Sequence, residues 1–375
     1  MVLVSRALPG ELVRIDTLRT KKDLVRAAAS DVVEPSENRV TPLCPYFGKC
    51  GGCQYQHATY SYQLEQKREI LAEVLARVGK IAPPPAITIE SGPEWNYRNR
   101  VQLHLEGKRI GFHAAGTHLV TAVDQCVVSS PKLNEAIAAL RQMTHSQRWP
   151  GFLKSIELFT NEEEVQINVL DSGPRYLNKA FFEWCEKSIP GANNTALDYA
   201  AAGQTFRVSH KSFFQVNRFL IERLVDISLR TSTGRTAWDL YAGVGLFSTA
   251  LAKRFEQVTA VEVARSAVAD LECNLDRANV QARTLQTSVE LFLSQQTSAP
   301  DFVIADPPRA GLGKDVVGHL VRLKPKVVVV VSCDAATMAR DVAGLVTGGY
   351  RVDTMTMIDL FPHTAQLETV TKLVL

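Results

Sequence analysis

Long apolar runs are missing from this chain of 375 residues. The longest uninterrupted aliphatic stretch covers positions 327–331, whereas a helix needs about 20 apolar residues to cross a membrane. The opening stretch MVLVSRALPGE reaches Arg6 before the apolar core of a signal peptide could form. These absences argue against membrane and exported proteins, and we expect a cytoplasmic one.

Low-complexity segments and a strong excess of charge are missing as well. The chain is 46% hydrophobic and 22% charged, with a formal net charge of +3, which is the composition of a folded globular protein. Its length predicts two or three domains. Basic side chains still concentrate in residues 1–26 and in residues 97–113, where Tyr97 and Phe112 accompany Arg98, Arg100, Lys108 and Arg109. Both clusters fit polyanion binding, and both fit a solvated strand face equally well.

Cysteine is scarce, and its number argues against a disulfide framework. Seven cysteines are an odd number in a long chain without an export signal, so metal-binding or catalytic thiols are favoured. Three of them lie within ten positions of CPYFGKCGGCQYQH (44–57), as Cys44, Cys50 and Cys53. This spacing indicates a metal site.

The order of predicted elements divides the chain into three parts. Residues 1–40 contain two strands, in ELVRIDTL and DLVRAAASDVV, and form a small β-module that ends in a polar linker. Residues 41–205 are predicted to be α+β, with an amphipathic helix up to Gly79, strands in VQLHLEG, KSIELFT and EVQINVLD, and helices near 131–143 and 178–188. Residues 206–375 form the third part.

The third part alternates between predicted strands and helices, as α/β folds do. Short apolar strands, in TAWDL, QVTAVEV, DFVIAD and KVVVVVS, are separated by stretches with helical periodicity. This alternation predicts a parallel sheet wrapped by helices, in which ligands bind beyond the carboxyl ends of the strands. We therefore expect the chemistry at those ends.

A cofactor signature follows the first of these strands. DLYAGVGLF places Gly243 and Gly245 in a tight turn before a helix, where backbone can approach a ligand closely, although many such turns bind nothing. The second strand ends in Glu262, an acidic residue suited to ribose hydroxyls. A dinucleotide site would have a third glycine at position 248, which is Ser. The pattern therefore favours S-adenosylmethionine, which has no pyrophosphate to hold.

Two residues near the C-terminus suggest covalent catalysis. Cys333 follows the fifth strand and precedes a helix, whose first turn favours a thiolate while Asp334 opposes it; the alternative is an inert packing thiol. Glu368 precedes the final strand, and its alternative is simple solvation. A thiolate that adds to uracil C6 makes C5 nucleophilic toward a methyl donor, and a carboxylate can then remove the C5 proton. Asp306, in DPPRAG, fits a contact to uracil N3–H or to the cofactor.

Five motifs stand in the order of a known family. SFFQVN (212–217), DLYAGVG, DPPRAG, SCDAATMARD and FPHTAQLE together resemble the RNA uracil-C5 (m5U) methyltransferases, closest to the iron-sulfur 23S rRNA enzymes. The resemblance implies a Rossmann-like methyltransferase domain at the C-terminus, with Cys333 as nucleophile and Glu368 as general base. It also implies that S-adenosylmethionine is bound by Gln215, Tyr241, Glu262 and Asp306.

The same resemblance implies which metal group the cysteines bind. The family's ribosomal branch shares the Cys-x5-Cys-x2-Cys spacing and a distant fourth cysteine, here Cys126 in VDQCVVSS, and the four would hold a [4Fe-4S] cluster. Spacing alone also allows zinc, although structural zinc more often uses two close pairs.

Two departures from the family accompany this match. Residues 1–40 resemble the second half of its OB-like (TRAM-type) RNA-binding barrel, while the first half is missing, which indicates a late start codon or an incomplete barrel. Gln366 stands where the family has His, and Gln cannot carry a proton.

The resulting hypothesis is methylation of uracil C5 in RNA, with 23S rRNA favoured. Its alternatives are a tRNA m5U methyltransferase and a non-catalytic iron-sulfur RNA-binding protein. An amino-methyltransferase would want an aromatic residue at the position of Arg309, and a cytosine-C5 enzyme would have a Pro-Cys pair after the fourth strand. Nothing in the sequence requires a protein partner, and we expect a monomer.

Overall fold

The structure, a computed structural model, describes residues 1–82, 84, 86–230 and 232–375, and only the backbone at positions 17–19 and 21. The helices are α1 (Tyr60–Val74), α2 (Pro131–Met143), α3 (Lys179–Ser188), α4 (Ile221–Leu229), α5 (Leu246–Leu251), α6 (Arg265–Arg277), α7 (Val289–Ser294), α8 (Gly313–Leu323) and α9 (Ala335–Thr347). The strands are β1 (Val2–Ser5), β2 (Leu12–Lys21), β3 (Leu24–Glu34), β4 (Ile87–Glu90), β5 (Arg100–Glu106), β6 (Arg109–His113), β7 (Val120–Ala122), β8 (Ser155–Thr160), β9 (Val165–Asp171), β10 (Ala192–Asn193), β11 (Leu197–Ala201), β12 (Gln204–Val208), β13 (Gly234–Leu240), β14 (Phe255–Glu262), β15 (Arg283–Gln286), β16 (Phe302–Ala305), β17 (Val327–Ser332), β18 (Arg351–Ile358) and β19 (Glu368–Val374). None of the helices in the described ranges is long and apolar enough to span a bilayer.

The N-terminal strands form a three-stranded sheet in the order β1-β3-β2. The two strands predicted from the sequence are confirmed as β2 and β3, which pair antiparallel, and β1 adds a parallel edge. The carboxylate of Glu11 ties this sheet to the following linker, because it accepts from the Arg39 guanidinium and from the Leu8 and Ser36 N–H groups. These donors lower the pKa of Glu11 to about 2.

The central region is built on a six-stranded sheet in the order β10-β9-β8-β5-β6-β7. Helices α2 and α3, both predicted from the sequence, join its core: Leu133, Ile137 and Leu140 of α2 are fully buried beside Leu103 of β5. Strand β5 alternates buried with accessible side chains, so its second face is left free of these helices.

The C-terminal region is an eight-stranded sheet in the order β15-β14-β13-β16-β17-β19-β18-β4. Strands β13 to β17 are parallel, as the sequence predicts, whereas β19 runs antiparallel between β17 and β18. One apolar layer joins the sheet to α1, α7, α8 and α9, and a second joins it to α4, α5 and the β11–β12 hairpin. The sheet is therefore covered on both faces.

The segment 60–90 packs against the C-terminal region, although it precedes the central region's strands in the chain. The sequence assigns it to the central region, but α1 packs on α9 and β4 extends the C-terminal sheet beside β18. A buried ion pair fixes this contact, since Lys67 Nζ lies 2.7 Å from Asp359 Oδ1. The apolar side of this segment fits the C-terminal layer because Leu71 of α1 and Leu75, in the turn that follows it, are fully buried there.

The basic cluster at residues 97–113 is only partly a surface. Arg100 is buried, pairs with Glu157 at 3.1 Å and lies 4.2 Å over the Phe159 ring, and Tyr97 is fully buried. The basic side chains of this stretch therefore do not share one surface, because Glu157 and Phe159 cover Arg100 while Arg109 stays exposed.

Candidate active site at the carboxyl edge of the C-terminal sheet

The predicted functional residues at the strand ends share one edge of the sheet. The parallel register pairs Leu240 with Ala305, and Ala305 with Val330, so β13, β16 and β17 end side by side. The N–H of Asp306 donates to the Leu240 carbonyl at 3.3 Å. The residues that follow these strands therefore open on a common space.

Cys333 and Glu368 face each other across an antiparallel pair. In the β17–β19 ladder, Ser332 pairs with Thr369, so the next positions along the two strands are Cys333 and Glu368. Residues opposed in this way lie about 5 Å apart between their Cα atoms. Cys333 is half-buried and Glu368 is buried, with 5% of its surface exposed.

The site raises the pKa of both groups. Burial, followed by the charge of Glu368, raises the pKa of Cys333 to about 11, and the Arg309 guanidinium opposes this shift. Burial, followed by the charge of Asp306, raises the pKa of Glu368 well above its usual range, and Arg309 again opposes it. The thiolate that the sequence predicts at the helix start is therefore not favoured in the unliganded protein. The Asp334 side chain caps that helix itself by accepting from Thr337 N–H at 2.8 Å.

The turn after β13 has the backbone that only glycine adopts easily. Gly243 and Gly245 have φ values of +53° and +92°. A Cβ at Gly245 would lie 2.6 Å from Leu271 Cδ1, whereas none of the described atoms lies within 4 Å of a Cβ at Gly243. Gly245 is therefore required by conformation and by packing, and Gly243 by conformation alone. Tyr241 precedes this turn and also has a positive φ, +65°.

Glu262 holds this turn in place. One carboxylate oxygen accepts from Gly243 N–H at 2.9 Å, and the other accepts from the N–H groups of Val263 and Ala264 at 2.8 Å. A carboxylate oxygen has capacity for a further donor beyond these bonds. Two of the predicted cofactor residues, Glu262 and Gly243, are thus in direct contact.

Gln215 and Asp306 form a second contact within the predicted set. Gln215 Nε2 donates to Asp306 Oδ2 at 3.2 Å, and the Gln215 carbonyl accepts from Asn99 Nδ2 at 2.9 Å. Burial raises the pKa of Asp306 to about 7, and the bond from Gln215 partly offsets that rise. The central region therefore helps to orient a side chain of the C-terminal site.

Two features of the site were not assigned from the sequence. Asp239, at the end of β13, is fully buried, and its burial raises its pKa to about 7 while the Ser248 hydroxyl donates to it. The serine that breaks the dinucleotide pattern thus has a partner nine residues earlier. The other feature is Arg309, which the sequence argument treated only as a missing aromatic residue. It is exposed beside Cys333 and Glu368.

The loop before Glu368 is fixed by the N-terminal half of the chain. The His363 carbonyl accepts from Gln54 N–H and Tyr55 N–H at 2.8 and 2.9 Å. The His363 ring stacks on Trp95 with 3.9 Å between ring centroids, and burial lowers its pKa to about 4. Gln366, at the position where a proton carrier was expected, is half-buried, and its N–H donates to Thr364 Oγ1.

The four predicted cluster cysteines lie apart from this edge but close to one another. A cavity of about 200 Å³ is lined by Cys44, Cys50, Cys53 and Cys126. Burial raises the pKa of each of the first three thiols, that of Cys53 to about 12. Among the residues with described positions, no three potential ligands are arranged to hold a single metal ion.

Comparison with known proteins gives a consistent result. The family model described as tRNA (Uracil-5-)-methyltransferase matches residues 194–294 and 289–374. The 23S rRNA (uracil(1939)-C(5))-methyltransferase RlmD of Alkalilimnicola ehrlichii is 31% identical over 98% of this chain and 90% of its own length. The tRNA (uracil(54)-C(5))-methyltransferase of Pyrococcus abyssi is 32% identical over 100% of this chain and 96% of its own.

A solved structure extends the comparison to the fold. The crystal structure of the Pyrococcus abyssi tRNA (uracil-54, C5)-methyltransferase in complex with S-adenosyl-L-homocysteine superposes with a TM-score of 0.78 and 29% identity, over 100% of this chain and 95% of that one. The protein has a mixed α/β methyltransferase fold. With full-length relatives above 30% identity, the chain belongs to the RNA uracil-C5 methyltransferase family.

Proposed function

We propose that this protein methylates C5 of a uridine in RNA through a transient bond between Cys333 Sγ and uracil C6. The observation that carries the proposal is the placement of Cys333 opposite Glu368 at the end of the β17–β19 ladder, beside Asp306 and Arg309. S-adenosylmethionine supplies an electrophilic methyl group when it is bound. An inert packing thiol would not need a buried carboxyl at the facing position.

The proposed steps balance in atoms and electrons. The Cys333 thiol loses its proton to solvent, and its sulfur pair forms a bond to C6 while the C5=C6 pair moves toward C5 and the O4 carbonyl. C5 would then take the methyl group from the sulfonium of the donor, whose S–CH3 bond breaks with the electron pair left on sulfur, and C5 carries both a methyl and a hydrogen. The Glu368 carboxylate removes that hydrogen as a proton, the C5=C6 bond re-forms, and the thiolate leaves. The raised pKa of Glu368 makes its ionised form a stronger base.

The cofactor residues are proposed as Gln215, Tyr241, Gly243, Gly245, Glu262 and Asp306. The turn at the two glycines brings backbone close to the ligand, and Glu262, already oriented by backbone N–H groups, has remaining acceptor capacity for ribose hydroxyls. Asp306 lies between Gln215 and the facing residues Cys333 and Glu368, so it can contact the cofactor or the uracil N3–H.

The RNA is proposed to be 23S rRNA. The four clustered cysteines and the relatives named as 23S rRNA enzymes favour it, while the Pyrococcus tRNA enzyme keeps tRNA as the second candidate. The target uridine has to leave its stack before C6 can reach a sulfur at the sheet edge, which costs less in a loop than in a duplex.

We also propose that Cys44, Cys50, Cys53 and Cys126 hold a [4Fe-4S] cluster. Their shared cavity supports this role, and a cluster would be structural here because methyl transfer moves no net electrons. The proposed parts are a partial OB-like RNA-binding module (1–40), a central domain with the cluster (41–205) and a methyltransferase domain (206–375), with the segment 60–90 packed on the third. A monomer in the cytoplasm remains the expectation from the sequence.

The test is a methyl-transfer assay on ribosomal and transfer RNA from a host that lacks 5-methyluridine. Nucleoside mass spectrometry should find 5-methyluridine with the wild type and none with Cys333→Ser, while Cys273→Ser, a half-buried thiol of α6, serves as the matched control. RNA binding without any 5-methyluridine would support the non-catalytic alternative. Full activity of Cys333→Ser would overturn the proposed nucleophile.

A further inference from the structure

An open pocket of about 400 Å³ lies beside the cysteine cavity, on the central sheet. Its lining includes the rings of His104, Phe112, His113 and His118, together with Gln102. Gln102 and His118 are exposed, and the other three are half-buried. Several of these residues belong to the stretch 97–113, whose basic side chains fit polyanion binding and a solvated strand face equally well in the sequence.

The three histidine rings lie against one another because of strand geometry. Leu103 and Leu105 of β5 point into the core, so Gln102 and His104 face outward. The rings of His104 and His113 stack, with centroids 3.5 Å apart and 19° between planes. His118 stands at 89° to His113, with centroids 5.4 Å apart. Flat rings with accessible faces are therefore available to a planar ligand.

The charge around the pocket suits a polyanion. Lys49 and Lys154 are exposed near its ends, where Ala115 N–H donates to the Lys49 carbonyl and Leu105 N–H donates to the Lys154 carbonyl. Neither lysine pairs with an acidic side chain in the described ranges. The nearby acidic side chains are already paired, since Glu106 contacts Arg109 and Glu157 contacts Arg100.

A short loop joins the pocket to the catalytic edge. Gly51 N–H donates to the His113 carbonyl at 2.9 Å, and three residues later Gln54 Oε1 accepts from Ala365 N–H at 3.1 Å. Ala365 lies three residues before Glu368. Two spans of three residues, each at most about 10 Å long, thus separate the pocket from Glu368, a distance that several nucleotides flanking a uridine held at Glu368 can cover.

We propose that this pocket binds an unpaired base of the RNA substrate, near the extruded uridine, by stacking on the His104–His113 pair. The inference rests on the proposed function. Unpaired RNA is commonly recognised by stacking on aromatic or histidine rings, with side-chain hydrogen bonds to the base edges. Gln102 and His118 offer such hydrogen bonds, and the two lysines face the phosphates.

The competing occupant is a divalent metal ion held by the three histidines. Such an ion needs ring nitrogens that converge to about 2.0–2.1 Å from it. The rings of His104 and His113 instead lie face to face, and no group of three potential ligands in the described part of the chain is arranged around one ion. The stacked arrangement favours the base.

The test compares two double variants that separate stacking from metal binding. His104→Ala with His113→Ala removes the rings, whereas His104→Phe with His113→Phe keeps the stacking surface and removes the nitrogens. Fluorescence anisotropy with a labelled single-stranded oligouridylate should show about tenfold weaker binding for the alanine pair and near wild-type binding for the phenylalanine pair. His145→Ala, an exposed histidine outside the pocket, is the control and should bind as the wild type does.

Two outcomes would overturn the proposal. One is unchanged oligouridylate binding by an alanine pair that still binds S-adenosylmethionine, which shows that it is folded. The other is equal loss in both pairs, together with an equivalent of Zn²⁺ bound by the wild type and by neither pair, which would identify a metal site. The binding assay does not depend on methylation. A protein that binds oligouridylate through the pocket but forms no 5-methyluridine would therefore contradict the proposed function and still support the proposed base-binding pocket.

Discussion

The substitution Glu368→Gln separates the two halves of the proposed reaction. Glutamine has nearly the shape of glutamate, so the side-chain packing at this buried position opposite Cys333 is kept while the base is lost. Cys333 can still add to C6 and C5 can still be methylated. Because the C5 proton then has no acceptor, the protein should accumulate a covalent adduct with the methylated RNA, without any 5-fluorouridine in the substrate, and release little product.

The expected magnitudes differ for the two steps. A positioned general base contributes about 10²–10⁴-fold, so turnover should fall at least about 100-fold, or about 2.7 kcal/mol. Adduct formation should instead become easier, because the charge of Glu368 is one cause of the raised Cys333 pKa. Because the pKa of Cys333 is raised to about 11, its thiol is mostly protonated near neutral pH, and loss of the charge favours the thiolate.

The assay follows radiolabelled RNA on a denaturing gel and 5-methyluridine by mass spectrometry of the same samples. Adding Cys333→Ala to the variant should abolish the slow-migrating band, and Glu163→Gln, an exposed glutamate in the β8–β9 turn, should behave as the wild type. Turnover of Glu368→Gln close to that of the wild type would refute the assigned base. Parallel loss of adduct and product with intact cofactor binding would show that Glu368 acts before the elimination step.

Three further predictions follow from the same geometry. Adduct formation with 5-fluorouridine RNA should rise with pH as Cys333 approaches its pKa, and Arg309→Gln should move this limb to higher pH in rapid-quench experiments, because the guanidinium lowers that pKa. Lys67→Met leaves a buried carboxylate without its ion-pair partner and should cost about 3–5 kcal/mol of unfolding free energy in urea titrations; an unchanged midpoint would contradict the buried pair. Gly245→Ala should weaken S-adenosylmethionine binding in calorimetry more than Gly243→Ala does, because only the former meets a neighbouring side chain.

The strand-end residues could be predicted because their positions follow from a local pattern. Apolar runs separated by helices specify a parallel sheet, and a parallel sheet brings its carboxyl ends together whatever the strand order. This places Glu262, Asp306 and Cys333 on one edge without any knowledge of long-range contacts. The glycine turn is equally local, since its φ values are set within a few residues.

Long-range packing determines what the sequence did not predict. In the sequence, Arg100 belongs to a cluster of basic residues. Its partner Glu157 lies on another strand, and neither segment by itself specifies the strand register that brings the two together. Strand β4 is short and separated from its neighbour β18 by more than 250 residues of chain, so its place in the C-terminal sheet depends on the docking of α1. A role for Arg309 can be inferred only from the fold, which places it beside the Cys333 thiol and the Glu368 carboxyl.

The antiparallel strand β19 lets one edge of the sheet present both the thiol and the carboxyl that the proposed reaction requires. In a purely parallel sheet, neighbouring strands both contribute the residue after their carboxyl end, and the chain then leaves on a helix. Because β19 runs the other way, it contributes its first residue, Glu368, at the same edge where β17 gives its last, Ser332, followed by Cys333. The loop that feeds β19 is held at His363 by the backbone of Gln54 and Tyr55, next to the cysteine cavity. The cavity is therefore joined by hydrogen bonds to the loop that carries Glu368, whereas Cys333 lies in the β17–α9 connection.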